Sequence, residues 1–109
     1  MHLTHAEALA DLARAGIEAV RDAGTRQGLG LALKRSPGQG GLPRVITSGR
    51  ALSKRGGYGA FLGTPVGTRQ EITVEILKLR NDGADIIKII ASGVVSFELP
   101  GTVTPGGFS

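Results

Sequence analysis

Among the residues able to do chemistry, Lys88 stands in the least expected place. It lies in the middle of Gly83-Ala84-Asp85-Ile86-Ile87-Lys88-Ile89-Ile90-Ala91-Ser92-Gly93, the most apolar run in the sequence. Glycine bounds that run at both ends, and its β-branched residues predict a strand over 85–91 buried on both faces. With side chains alternating, Ile86, Lys88 and Ile90 share one face, and Ile87, Ile89 and Ala91 the other. An unpaired buried ammonium is costly, so the lysine must be paired, neutral, near a strand end or chemically used. A carboxylate such as Asp85 or Glu98 could pair with it, or its stem could carry the charge out to water. It could equally be a Schiff-base former, a phosphate contact or a metal-bridging carbamate. These last three suit the C-terminal end of a parallel strand, where α/β sheets place their sites.

The bulk composition limits the alternatives. At 109 residues the chain is one domain or part of one. It has no cysteine, which excludes a disulfide framework and thiolate metal sites. Any metal would need His, Asp, Glu or a modified side chain. No signal-peptide pattern and no membrane-spanning apolar run is visible, so the expected location is the cytoplasm. The net charge of +4 raises nucleic acid as a partner. The cations are dispersed, however, and only Arg50, Lys54 and Arg55 cluster, without interleaved aromatics. Neither nucleic acid nor a membrane is expected as a partner.

The positioning elements follow in order. Thr4 and Glu7 form a capping-box pattern that opens a helix over 5–15, closed by Gly16. A strand is predicted over 17–20, leaving through Arg21-Asp22-Ala23-Gly24, where the two charges could simply pair. A weak helix over 29–35 breaks at Ser36–Gly41. A strand over 44–47 runs into Ser48–Ser53 and Gly56-Gly57-Tyr58-Gly59, which reads as a mobile loop beside a site. Glycine-rich turns can cradle phosphate, but this one has neither standard phosphate-loop spacing. Thr68 and Glu71 repeat the capping-box pattern before a helix over 69–81. Its inner face carries Ile72, Ile76 and Leu79, widened by Val74 and Leu77. Residues 94–109 read as an irregular tail. Alternating helices and strands imply βαβ units and a parallel sheet of about three strands. The apolar last strand is expected to want a further neighbour.

Four of these segments together resemble the metal-dependent amidohydrolases, in the imidazolonepropionase-like and Xaa-Pro-dipeptidase-like branch. Gly16-Ile17-Glu18-Ala19-Val20-Arg21-Asp22-Ala23-Gly24 is similar to that branch's G-[VI]-T-T-V-R-D-x-G. Pro43–Ser53 is similar to PRV-x-x-[AS]-GRA-[IL]-S, and Gly56–Gly59 to GG-H-G with Tyr58 in place of histidine. Gly83–Gly93 is similar to GAD-[FW]-IK-[IV]-x-[AT]-[ST]-G. The resemblance implies a partial (β/α)8 TIM barrel, with residues 1–109 a fragment of one barrel domain. It implies that Lys88 is carboxylated and bridges two divalent metals, commonly zinc. His2, in Met1-His2-Leu3, would be the second histidine of an H-x-H ligand pair. Arg21 and Asp22 would shape the floor of the site, and Gly56, Gly57 and Tyr58 its rim. The family's later histidines and aspartate have no counterpart here.

The expected function is therefore metal-dependent hydrolysis of a C–N bond in a small-molecule substrate, in a cyclic amide, a proline-ending peptide or a related acyl-amine. The isolated chain should be weak or inactive. The alternative is a non-catalytic α/β module that self-associates, or pairs with another chain, through its sheet edges. A third reading makes Lys88 a Schiff-base lysine in an aldolase-like barrel.

Overall fold

The computed structural model describes residues 4–35, 40–96, 98–104 and 108. The elements run α1 (His5–Arg14), β1 (Ala19–Asp22), α2 (Leu29–Arg35), β2 (Arg44–Thr47), β3 (Ala51–Lys54), a 3-10 turn (Ala60–Leu62), β4 (Gly63–Val66) and α3 (Arg69–Asp82). The architecture is mixed α/β with two small parallel sheets. β1 pairs with β2, Asp22 opposite Thr47, and β3 pairs with β4, Leu52 opposite Thr64.

The helix ends follow local chemistry. Thr4 Oγ1 accepts from the Glu7 N–H while Glu7 Oε2 accepts from the Thr4 N–H, which completes the capping box of α1. Only half of that motif forms at α3. Thr68 Oγ1 takes the Glu71 N–H at 3.1 Å, but the Glu71 carboxylate turns away to the Arg55 guanidinium and the Gly67 N–H. An ion pair and an amide one position earlier outcompete the reciprocal bond. Arg55 holds the Glu71 carboxyl below its ordinary range. Gly83, at φ 97°, closes α3 in the left-handed region.

Several segments differ from the sequence reading. The strand expected over 17–20 lies at 19–22, because its limits are set by pairing with Arg44–Thr47. Arg21 and Asp22 are thus inside the strand, pointing to opposite faces, and make no ion pair with each other. The expected loop after β2 is largely structured: β3 is a buried strand, with Ala51, Leu52 and Ser53 at 0–1% exposure. Val74 and Leu77 are exposed, leaving Leu79 as the buried apolar contact of α3.

The segment around Lys88 is not a regular strand, and it is not buried on both faces. It touches the end of β2 and pairs in parallel with β3 at one bridge. Asp85 N–H donates to the Thr47 carbonyl, Leu52 N–H to the Lys88 carbonyl and Ile90 N–H to the Leu52 carbonyl. Ile87 and Ile89 are 40% and 53% exposed, and Ile90 is buried. Beyond it, the expected tail contains an antiparallel turn. Val95 pairs with Val103, the Ser96 N–H donates to the Thr102 carbonyl, and the Thr104 N–H donates to the Val94 carbonyl. Pro100-Gly101 makes that reversal possible, Gly101 taking φ 82°.

One side of the sheets carries both α2 and α3. Gly49 abuts Leu31 of α2 and Leu79 of α3, and Lys34 of α2 donates to the Gly83 carbonyl at the end of α3. Arg50 Nε and Thr64 Oγ1 both donate to Glu75 Oε1, each at 2.9 Å, and tie β3 and β4 to α3. The pair raises the Arg50 pKa above its ordinary value. Among the described residues no helix is long and apolar enough to cross a membrane.

Candidate functional site

Register and alternation sort the candidate residues between the face covered by α2 and α3 and the opposite face, helix-free in the sense that neither α2 nor α3 lies on it. Thr64 points at Glu75 of α3, so its partner Leu52 faces the helices. Leu52 also bridges Ile89 in parallel, which puts Ile89 on the helix side and turns Lys88 and Ile90 away from it. Asp85 agrees with this phase, since it reaches Lys34 on α2. By the same alternation Ala51 and Ser53 share the helix-free face with Lys88.

Lys88 is exposed on that face, and no described residue pairs with its ammonium. The two carboxylates considered for it are engaged or absent from it. Asp85 Oδ1 accepts from Lys34 Nζ at 2.5 Å, and Asp85 Oδ2 from the Thr47 N–H at 3.0 Å. These bonds hold the Asp85 carboxyl below its ordinary range, Lys34 being the larger cause. Glu98 lies exposed in the terminal turn and makes no ion pair with Lys88.

The Arg21–Asp22 unit is divided between the two faces. Asp22 turns toward α2, where Thr47 Oγ1 donates to Asp22 Oδ2 at 2.6 Å and accepts from the Gly49 N–H at 2.8 Å. Gly30 of α2 lies so close that a Cβ there would collide with both side chains. Asp22 therefore braces β1 against β2 beneath the sheet and does not form a floor. Arg21 points the opposite way, onto the face that carries Lys88.

The Gly56–Gly59 loop reaches the same face. Gly59 takes φ 108°, and a Cβ there would sit 2.9 Å from Ile90 Cγ1, two residues beyond Lys88. Tyr58 is half-buried and packs edge-on against Phe61, with ring centroids 5.4 Å apart. Gly56 is exposed and Gly57 half-buried. The structure thus brings Lys88, Arg21 and the glycine loop to one face. His2 lies outside the described residues.

The described residues give a metal an incomplete set of donors. Among the described residues no group of three His, Cys, Asp or Glu could hold an ion. Lys88, once carboxylated, would contribute an anionic oxygen arm, but these residues alone do not form a cage.

Sequence reasoning missed Ser53 and the Arg50–Glu75–Thr64 cluster. The cluster's one visible signal was an arginine beside a strand and a glutamate on the inner arc of α3. Ser53 gave none beyond its place in the Pro43–Ser53 segment.

The chain matches no protein-family model and no curated protein sequence. It is similar to solved structures. One is a crystal structure described as an uncharacterized protein, with 26% identity over 93% of this chain and a TM-score of 0.68. Another is a prolidase complexed with N-methylphosphonate-L-proline, with 27% identity over 93% of this chain and the same TM-score. The chain spans 28% and 29% of the length of those two solved chains. Its fold, and about a quarter of its aligned residues, are therefore similar to a limited part of a protein named as a prolidase.

Proposed function

We propose that the chain is part of a metal-dependent amidohydrolase barrel that hydrolyses a C–N bond, in a dipeptide ending in proline or a related acyl-amine. The carrying observation is Lys88, unpaired among the described residues on the helix-free face, beside a glycine loop, in a fold similar to a prolidase-named structure. In this reading Lys88, as a carbamate, and His2 would hold divalent metal, commonly zinc in the family the sequence resembles. Arg21 lies on the substrate side, and Gly56, Gly57 and Tyr58 line the rim. Asp22 supports the site from below through Thr47. Bound zinc would supply a hydroxide at neutral pH and polarise the scissile carbonyl. The described residues do not complete a metal cage. The isolated chain should show little or no turnover.

Assay of the 109-residue chain with zinc and bicarbonate against Xaa-Pro dipeptides and a cyclic amide tests this reading. Any turnover should vanish in Lys88→Met. Sustained hydrolysis that survives that substitution would contradict the role given to Lys88.

A second reading is favoured by one feature. Ile87 and Ile89 are exposed, and among the described residues their backbone groups have no hydrogen-bond partner, which leaves an apolar strand edge. In that reading the chain is a non-catalytic module that self-associates or adds a strand from another chain. Light scattering coupled to size exclusion separates the two: a concentration-independent monomer removes the self-association reading.

A further inference from the structure

Two hydroxyls, Ser48 Oγ and Ser53 Oγ, are buried with no hydrogen-bond partner among the described atoms, and both residues have 0% exposure. Burying a hydroxyl unbonded is unfavourable, so such a group asks for an explanation. The two differ in placement. Ser48 lies at the bend between β2 and β3, against the Gly24 turn. Ser53 is on β3, and the Leu52–Ile89 bridge sets it opposite Ile90 on the helix-free face. Lys88 is its diagonal neighbour there. With parallel strands about 4.8 Å apart and a rise of about 3.3 Å per residue, a diagonal neighbour lies about 8 Å away, within reach of a lysine. Ala51, directly opposite Lys88, is small enough for the lysine stem to lie across it.

We propose that Ser53 is a positioning residue whose hydroxyl donates to the carboxylate that Lys88 carries after taking up carbon dioxide. This rests on the reading of Lys88 as a carbamate. In the uptake step, the neutral amine nitrogen bonds to the carbon of CO2. One C–O π pair moves onto oxygen, and the nitrogen releases one proton to water. The product has an anionic carboxylate where the amine bore a cation. A hydroxyl that has no acceptor beside an ammonium, itself only a donor, gains one when that charge is inverted. Ser53 thereby favours the modified lysine over the unmodified one and fixes the direction of its oxygens.

The test uses the 109-residue chain with 13C-bicarbonate, with and without zinc, and reads the carbamate carbon by 13C NMR. The wild-type chain should show a carbamate signal that Lys88→Met abolishes. Ser53→Ala should need about tenfold more bicarbonate for the same occupancy, the loss expected for one hydrogen bond to a charged group. Its thermal midpoint in bicarbonate-free buffer should be no lower than wild type, since no bond is lost there. A purely structural role for Ser53 would instead lower that midpoint. Ser53→Cys, nearly isosteric and a weak donor, should behave like Ser53→Ala and gives the same reading if the alanine variant does not fold. Ser48→Ala should titrate like wild type. Occupancy in both Ser53 variants within twofold of wild type, or an equal loss in Ser48→Ala, would overturn the role of Ser53 and leave the carbamate reading standing. Absence of any Lys88-dependent carbamate in wild type would overturn both.

Discussion

The two faces of the β2–β3 layer are built to different standards. On the helix side, Leu52, Val66 and Leu79 are buried to within 2% exposure, and the polar groups among them are bonded. Thr47 holds Asp22, and Arg50 with Thr64 holds Glu75. On the helix-free side Ala51, Ser53 and Ile90 are buried as well, but Ser53 Oγ is unbonded and Lys88 is exposed with no described partner. Beyond that face Val95, Leu99 and Val103 are 63–66% exposed. A closed polar network fixes the relative placement of strands and helices, whereas polar groups left unbonded do not. The difference puts the bonded network on one side and the unpartnered lysine and serine on the other.

The largest expected effect is on the closed side. Glu75→Ala leaves Arg50 partly buried without its main acceptor and should cost about 3–5 kcal/mol in urea unfolding. A loss below about 1 kcal/mol would mean that the cluster does not join α3 to the strands. Next comes Gly30→Ala, whose methyl would strike the Asp22–Thr47 pair. Overpacking of that kind should cost about 1–3 kcal/mol, read from the same denaturation midpoint.

A smaller and pH-limited effect is expected at Asp85. Its carboxyl is held below the ordinary range by Lys34 and Thr47, so its contribution is present above the unfolded value of about 4 and lost as pH falls through the lowered folded value. The stability gap between wild type and Asp85→Asn should accordingly narrow below about pH 4 and be constant from pH 5 to 7. A gap that widens on acidification would refute the assigned bonds. Smallest of all is Val103→Ser on the exposed turn, expected within about 0.5 kcal/mol of wild type. A loss comparable to that of Gly30→Ala would show that this turn is covered in solution.

The elements that read correctly from the sequence were those with local causes. The Thr4 and Thr68 caps and the Gly16 stop all depend on near neighbours. What failed depended on distant partners. The limits of β1 were set by β2, and β3 appeared as a loop because its pairing with Gly63–Val66 has no signature within Ala51–Lys54. Lys88 read as buried because apolar neighbours suggest burial, yet exposure depends on what packs above a strand. The division of Arg21 from Asp22 was legible in principle: adjacent strand residues cannot share a face. It was missed because the strand was placed two residues early. Ser53 could not have been found, since an orphaned hydroxyl is defined only by its surroundings.

In the proposed reading Lys88 serves as a metal ligand only after its charge is inverted. Zinc affinity of the 109-residue chain, titrated with and without bicarbonate in wild type and in Lys88→Met, tests this most directly. Affinity is expected to be weak, because the described residues form no complete cage, but to rise with bicarbonate in wild type and not in Lys88→Met. An affinity indifferent to bicarbonate, or a rise of equal size in Lys88→Met, would contradict it.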